Sequence, residues 1–437
     1  MKKFRGVVVV FILVFCMSVS FSACGGSDSA GSDDGKTTIV FWTWLPRNDQ
    51  WDEILYPAFQ EEHPDIEVEF WRTAEMADYL RRLQVGVGSG TGPDVFALQP
   101  GSLVNQYQRF AEPMDALADL YIPNWREIIS RAAIEQSTSL EGVLAGMPIL
   151  MAGQQYMIYN QSLMNECGVA AVPRTYAELV EAARRIRAAG KVPVVFGAAD
   201  IWHVVDWFVW ASQQFAPGRI YEAEQGRVSW TDQAFVDTMN AWVQLFRDGV
   251  FQDGALGVGT YPDARDQYFF TRNAVFFPTG SWHSGVVLPS FEELRGTDVQ
   301  RDTIGMTAFP QVGSQRVVAT TGVDVIFSVS SDSRNKEAAT KLIAFFSTGR
   351  GQQLWSDTLQ GSPVANNVRY GGDMSGPLAE ESLNFINDLN SSSTAKRKLD
   401  YAELETALGV AMQEAASGRN VMDVLRDVQR VSDSLSR

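Results

Sequence analysis

The sequence predicts an α/β protein, and three observations carry that prediction. Strand-like and helix-like segments alternate near the start of the chain, in the order expected of a parallel sheet covered by helices. A second region, beginning near residue 157, repeats the alternation. With 437 residues, 45% of them hydrophobic, the chain is long enough for about two or three domains with their own cores.

The first α/β unit is read from five consecutive segments. Residues 37–42 are β-branched and aromatic, which predicts a buried strand, and a helix toward residue 59 follows. Apolar and acidic residues alternate over 66–70, the period of a half-buried strand. The pattern continues with a helix over 76–85, a glycine-rich loop over 86–92 and a strand over 93–98.

The second unit starts with a strand over 157–159. Thr175 and Glu178 have the spacing of a capping box, which predicts a helix from there to residue 189. Gly190 ends that helix, and residues 192–196 form the next strand. Later segments predict a helix over 232–247, a short buried strand over 274–277 and a C-terminal helix over 421–435.

The N-terminus predicts export and a lipid anchor. Three positive residues precede an apolar stretch at 7–17, which is typical of a signal peptide over 1–23. Residues 21–24, FSAC, resemble the lipobox of bacterial lipoproteins, and this implies acylation of Cys24, for example with palmitate. Residues 24–36 then form a flexible tether, and the protein is attached to the cell membrane facing outside the cytoplasm, at the cell surface or in a periplasm. The alternative is a thiol beside an ordinary cleavage site.

Charge and cysteine content limit the partners. The net charge is −16, and removal of the leader with its three positive residues would make it −19. No run of lysines or arginines is present, which argues against nucleic acid as a partner and favours a neutral or cationic ligand. Once Cys24 is acylated and Cys16 has left with the leader, Cys167 stands alone, and no intrachain disulfide can form.

No constellation for catalysis or metal binding is found in the sequence. The histidines His63, His203 and His283 are far apart, and none has the spacing of a zinc helix. A G-x-S-x-G motif is absent. We therefore predict a protein that is not an enzyme and uses no cofactor or metal. A secreted lipoprotein glycoside hydrolase remains the alternative, because such an enzyme needs only two carboxylates about 5–10 Å apart.

Short motifs in a fixed order carry a family resemblance. They are GMP at 146–148, YN at 159–160, PRTYAEL at 173–179, GSW at 280–282, FP at 309–310, NKEAA at 335–339, GSPV at 361–364 and AASG at 415–418. Together they resemble family 1 extracellular solute-binding proteins of ABC importers, and the last motif is similar to the maltose-binding branch. The resemblance implies two lobes, each a three-layer α/β sandwich, with the ligand in the cleft between them.

The resemblance also implies boundaries and partners. The chain would cross between the lobes about three times, near 147–148, 323–324 and 361–363. Lobe I would comprise 37–147 and 324–360, and lobe II 148–323 and 361–437. The implied function is capture of a carbohydrate, a mono- or oligosaccharide, by a monomer that delivers it to the transmembrane permease subunits. A polyol or a glycerophosphodiester would also suit the family.

Ligand contacts in lobe II are implied by position within the family motifs. Trp282 stands where the family places a tryptophan that stacks on a sugar ring, and His283 beside it could add a hydrogen bond. Asp200 and Trp202 follow the strand at 192–196, where maltose-binding proteins carry an acid and an aromatic residue to the sugar. The alternatives are that Trp282 closes a strand in the core, that His283 lies on an exposed loop and that Trp202 packs like Trp207 in the next helix.

Contacts in lobe I follow from strand ends. Ligands of α/β sheets lie at the carboxyl edge of the strands, so residues just past each strand are candidates for the cleft. The candidates in lobe I are Trp44, Arg47, Asp49 and Gln99. Tyr156, just past the first crossover, occupies an equivalent edge, and Asp324 resembles a hinge position where the family often has glycine.

Overall fold

The computed structural model describes residues 35–359, 361–391, 393 and 395–435. The predicted signal peptide, Cys24 and nearly all of the predicted tether lie outside the described residues. Among the helices of the described part, none combines the length and the apolar character that a membrane crossing requires.

The strands join into one mixed sheet. They are β1 (Thr37–Thr43), β2 (Ile66–Arg72), β3 (Val95–Leu98), β4 (Met147–Asn160), β5 (Val192–Val194), β6 (Ala274–Gly280), β7 (Ile304–Ala308), β8 (Thr320–Val329), β9 (Ser362–Pro363) and β10 (Ala395–Lys396). The order across the sheet is β2-β1-β3-β8-β4-β6-β5. Strand β7 and strand β9 also pair with β4, and β10 pairs with β8.

Helices pack around the sheet, and two of them form the C-terminal part of the described chain. They are α1 (Asn48–Gln50), α2 (Tyr56–Glu62), α3 (Met76–Ser89), α4 (Ser102–Tyr107), α5 (Met114–Tyr121), α6 (Trp125–Ile128), α7 (Arg131–Gln136), α8 (Gln161–Glu166), α9 (Tyr176–Ala188), α10 (Ile201–Ser212), α11 (Arg219–Glu224), α12 (Gln233–Arg247), α13 (Lys336–Ser347), α14 (Arg350–Ser356), α15 (Ala379–Ser391), α16 (Ala402–Ala416) and α17 (Val421–Ser434). Further π-helical and 3₁₀-helical segments lie at Trp51–Leu55, Gln108–Phe110, Ala255–Gly257, Thr260–Phe269, Ser281–Val287 and Glu292–Leu294.

The predicted parallel units are present. Strand β1 pairs in parallel with both β2 and β3, and β5 pairs in parallel with β6. Helix α9 begins with the predicted capping box: the Thr175 hydroxyl accepts from the Glu178 N–H, and the Glu178 carboxylate accepts from the Thr175 N–H. For these strands and for helix α9, the sequence pattern therefore predicted the correct type of element.

Strand β4 connects the two halves of the sheet. Its first part, Met147 to Gln154, pairs with β8, whereas its second part, Tyr156 to Asn160, pairs with β6 and β7. The register shifts between Gln154 and Tyr156, so the strand is irregular where it passes from one half to the other. The sequence predicted only 157–159 as strand, because the preceding residues show no alternation of polar and apolar side chains.

Separate hydrophobic cores lie on the two halves. The first core cluster is built from residues 39–150 together with 323–364, and it includes Phe41, Phe327 and Trp355. A second core cluster is built from residues 157–276, Phe309 and 399–428, and a third surrounds Phe277 and Phe291. Residues of β4 up to Leu150 thus belong to the first core cluster, and those from Met157 contribute to the second. The exact bounds of the two lobes stay a prediction.

One predicted loop is helical. Helix α3 continues through Gly86 and Gly88 to Ser89 and ends at Gly90, whose φ of 71° is the left-handed conformation of a helix C-cap. A Cβ at Gly86 would lie 2.7 Å from the Trp42 ring, so the absence of a side chain allows helix α3 to pack closely against β1. This close approach is the reason for a glycine inside the helix, and the predicted loop over 86–92 is wrong for its first residues.

Candidate ligand-binding site

A cavity of about 250 Å³ lies between the two halves of the molecule. Its volume is close to the lower end of the range of small-molecule sites, roughly 300–1,000 Å³. One wall comes from the segments after β1, β2 and β3, and the opposite wall comes from residues 200–293. The lining residues are Trp44, Leu45, Arg47, Arg72, Ala74, Glu75, Met76, Gln99, Asp200, Trp202, Tyr261, Pro262, Arg265, Trp282, His283, Glu293, Asp324 and Arg397.

Three aromatic side chains form the wall on the β6 side. The rings of Trp202 and Tyr261 are nearly parallel, with 3° between their planes and 6.4 Å between centroids. Trp282 meets Trp202 at 63°, and its indole N–H donates to the Tyr261 hydroxyl at 3.0 Å. Burial raises the pKa of Tyr261 to about 12, so its hydroxyl stays protonated at neutral pH. The aromatic wall is therefore held by hydrogen bonding as well as by packing.

Gly280 is required by the placement of Trp282. A Cβ at residue 280 would lie 1.9 Å from the Trp282 ring, so any side chain there would displace the indole. The Gly-Ser-Trp motif thus has a local physical meaning: glycine leaves room for the ring, and the Ser281 hydroxyl accepts from the Gly153 N–H at 2.9 Å on the neighbouring strand.

On the opposite wall, the chain leaves β1 through Trp44. Its ring is 8% exposed and meets Tyr79 edge-on at 5.2 Å. The Tyr79 hydroxyl in turn donates to the Ala97 carbonyl at 2.7 Å, which ties helix α3 to the end of β3. Trp44 therefore lines the cavity from a fixed position in the first core cluster.

A group of charged side chains lies together on the lining of the cavity. The Glu293 carboxylate lies 3.1 Å from Arg265, 3.2 Å from His283 and 3.8 Å from Arg47. Burial alone would raise the pKa of Glu293, but these three neighbours outweigh it and lower the pKa to about 2. Arg47 and Glu293 come from opposite walls, so this group also joins the two halves of the molecule.

Carboxylates without an arginine partner lie elsewhere on the lining. Asp200, at the start of α10, accepts from the Thr260 N–H at 2.6 Å, and burial raises its pKa. The pKa of Glu75, at the start of α3, is raised by burial first and then by the charge of Asp200. Both groups can accept hydrogen bonds from ligand hydroxyls.

Most predicted contact residues line the cavity. Eight of the ten candidates do so: Trp44, Arg47, Gln99, Asp200, Trp202, Trp282, His283 and Asp324. Trp207 packs in the second core, fully buried, which agrees with the interpretation of that residue as a packing aromatic. Whether the eight contact a ligand stays a prediction.

Tyr156 and Asp49 lie outside the lining. The Tyr156 side chain is fully buried in the third core cluster, and its hydroxyl donates to the Asn390 carboxamide at 2.7 Å. Neighbouring side chains of a strand alternate between faces, and Tyr156 points into the core instead of the cleft. Asp49 accepts from Arg47 at 2.9 Å, and its role is to hold that guanidinium. His283 is 3% exposed, so an exposed loop position is excluded for it.

Several lining residues were not anticipated from the sequence. Tyr261, Arg265 and Glu293 lie in π and 3₁₀ turns with no strand end or motif to mark them. Arg397 comes from a segment near the C-terminus that pairs with β8 through β10. Arg72 is the last residue of β2 and Glu75 follows it, so the strand-end argument that found Gln99 could have found them as well.

Arg397 is the most deeply buried charge at the cavity. It is 2% exposed, and it donates through Nε and Nη2 to Asp206 at 3.0 and 2.8 Å. Its Nη1 donates to Asp324, and its Cζ lies 4.5 Å from the centre of the Trp282 ring. Burial would lower the pKa of Arg397, but Asp206 and Asp324 raise it above its ordinary value.

Comparison with known proteins identifies a family and a relative that this chain resembles. Residues 44–353 match the family described as bacterial extracellular solute-binding protein. The chain is 24% identical over 272 residues to an arabinooligosaccharide-binding protein of Halalkalibacterium halodurans, a stretch that covers 60% of this chain. The same stretch spans 58% of the length of that relative.

Solved structures share the fold at low identity. One, from work on xylan utilization by Caldanaerobius polysaccharolyticus, superposes with a TM-score of 0.75 at 18% identity, over 90% of this chain and 99% of the other. A chitin oligosaccharide binding protein gives 0.74 at 18% identity, over 91% and 98% of the two chains. The maltose-bound MalE3 of T. maritima gives 0.74 at 20% identity, over 91% and 99%.

These likenesses confirm the predicted fold class, in which two α/β lobes are joined by strand crossovers. Strands β4 and β8 are the longest strands of the described residues. They also explain why the hydrophobic cores are divided and why the cavity lies between the halves. Because the family match covers most of the chain, the protein belongs to the bacterial extracellular solute-binding proteins.

Proposed function

We propose that the protein is the substrate-binding component of an ABC importer and that it captures a carbohydrate in the cavity between the lobes. The observation that carries this proposal is the lining itself: aromatic rings on one wall face hydrogen-bonding groups on the other. A pyranose has a flat apolar face and a rim of hydroxyls, so rings cover the face while carboxylates and guanidinium groups pair with the rim. The names of the relatives, which bind arabino-oligosaccharide, chitin oligosaccharide and maltose, support the same ligand class.

Binding is expected to be coupled to lobe closure. A ligand that touches both walls has a higher affinity for the closed arrangement and shifts the population toward it. The closed protein then presents both lobes to the permease, which takes the sugar unaltered. We propose a monomer with the lobe bounds given above, attached to the membrane through Cys24.

The test is a binding screen combined with a turnover assay. The mature domain is titrated with mono- and oligosaccharides, with a polyol and a glycerophosphodiester included, and thermal shift and calorimetry report binding. The expected result is saturable binding of a sugar with no change in its length on chromatography. Release of shorter products would favour the glycoside hydrolase, and binding of none of the sugars would overturn the proposal.

Trp282→Ala is expected to weaken sugar binding at least about tenfold, which is about 1.4 kcal/mol, because an indole of the aromatic wall is lost. The melting temperature without ligand is expected to stay within a few degrees, because the ring lines the cavity and is half-buried. Calorimetry and thermal unfolding measure the two quantities. Trp71→Ala is the matched control: Trp71 is 48% exposed, lies outside the lining, and its loss should leave affinity unchanged. A large drop in stability without ligand would instead show Trp282 to be a core residue.

Cys24→Ala is expected to abolish lipid attachment. Cells expressing the full chain and fed labelled palmitate should show label in the wild-type protein and none in the variant, which should leave the membrane fraction. Cys167→Ala is the control, since Cys167 is a free, buried thiol in the second core cluster. Label that persists in the Cys24 variant would contradict the anchor.

A further inference from the structure

Arg397 contacts three separate parts of the molecule with one guanidinium group. Asp206 belongs to helix α10, and Asp324 belongs to β8, the strand that pairs with both β3 and β4. The third contact is the face of the Trp282 ring, 4.5 Å from Cζ. The aromatic wall and a strand shared by the two halves are therefore connected by a single side chain.

The contacts on α10 extend this connection to Trp202, a second ring of the same aromatic wall. Asp206 lies one helical turn after Trp202, so the two residues lie on neighbouring positions of the same helix face. Asp206 is fully buried and also lies 3.2 Å from the Lys398 ammonium group. Arg397 thus holds α10, which carries Asp200 and Trp202 into the cavity, as well as Trp282.

Burial makes the arrangement specific. A buried guanidinium tolerates little displacement from its carboxylates, because each of its donors would otherwise lose a charged hydrogen bond in a region that water does not reach. Its planar shape also allows it to lie flat over an indole while it donates in its own plane, which a lysine ammonium group cannot do. A shift of Trp282 is consequently resisted by Asp324, and a shift of β8 is resisted by Trp282.

We propose that Arg397 is a positioning residue that couples ligand contact at Trp282 to β8 through Asp324. This inference rests on the proposed function, because it concerns the same cavity. It assigns Asp324 a role in ligand affinity that depends on Trp282. Direct contact between Asp324 and the ligand would produce no such dependence.

The test is a double-mutant cycle on sugar affinity. Asp324→Asn removes one carboxylate and leaves Arg397 paired with Asp206. We expect Asp324→Asn to weaken binding about tenfold in the wild-type background and less than about twofold in the Trp282→Ala background. Equal losses in both backgrounds would mean that the two residues act independently, and the inference would be wrong.

Ligand-induced closure provides a second readout. Small-angle scattering measures the contraction of the wild-type protein at saturating sugar, and Asp324→Asn at its own saturation should contract less. A purely structural role would leave the contraction unchanged, which would also overturn the inference. If Asp324→Asn does not fold, Arg397→Lys is measured in the same two ways, since it retains the charge and loses the bidentate, planar contact.

The matched control is Asp302→Asn. Asp302 also accepts from an arginine, Arg272 at 2.7 Å, and is 12% exposed, but it lies outside the cavity lining. It should leave sugar affinity and contraction unchanged in both backgrounds. Absence of sugar binding by the wild-type protein would overturn the proposed function, whereas binding with independent losses would overturn only the role of Arg397.

Discussion

Asp206→Ala is expected to lower the free energy of unfolding by about 3–5 kcal/mol. The variant leaves the Arg397 guanidinium, 2% exposed, with only Asp324, and it removes the carboxylate that lies 3.2 Å from the Lys398 ammonium group. A buried charge that loses its bidentate partner costs more than the pair contributed, because water does not reach the guanidinium to replace the lost hydrogen bonds. Denaturation by urea with unchanged slope measures the loss.

The control is an ion pair of the same type on the surface. Asp78 pairs with Arg81, and the two side chains are 55% and 70% exposed. Asp78→Ala should change the free energy of unfolding by less than about 1 kcal/mol, since water solvates both charges in either variant. If Asp206→Ala and Asp78→Ala had equally small effects, the Arg397 network would contribute nothing measurable to stability.

Local patterns in the sequence were sufficient for the elements that depend on local physics. The capping box of Thr175 and Glu178 fixed the start of α9, and Gly190, with a φ of 73°, fixed its end. The strand-end rule found Trp44 and Gln99, because the carboxyl ends of parallel strands meet at one edge whatever the details of packing. The family resemblance pointed to Trp282 and Trp202, two of the three rings of the aromatic wall, and gave no indication of Tyr261.

Contacts between distant segments could not be predicted in this way. Arg397 reaches Asp206 across 191 positions of the chain, and nothing in the neighbourhood of either residue indicates the other. Tyr156 was misplaced for a related reason: the face on which a strand residue lies depends on register, and β4 is irregular just before it. Gly86 was assigned to a loop because the close approach of Trp42 is a tertiary contact.

Acid is expected to remove a specific part of the stability, which Glu293 supplies. Its pKa of about 2 in the folded protein lies below the ordinary value of 4.5, so the folded state favours the ionised carboxylate. This contribution is complete above about pH 4.5 and is lost as the pH falls toward about 2. A difference of that size corresponds to about 3 kcal/mol.

The comparison of wild type with Glu293→Gln isolates this contribution from the other carboxylates. Near neutral pH the variant should be less stable by about 3 kcal/mol, because Arg265 and Arg47 lose their shared partner, and the difference should shrink steadily below about pH 4.5. Glu292→Gln is the neighbouring control, since Glu292 is 41% exposed and pairs with an exposed arginine. Denaturation by urea at a series of pH values gives the free energy of unfolding of each protein as a function of pH. If the difference in free energy of unfolding between wild type and variant remained constant down to about pH 2.5, the charge of Glu293 would contribute nothing to stability, and the prediction would be wrong.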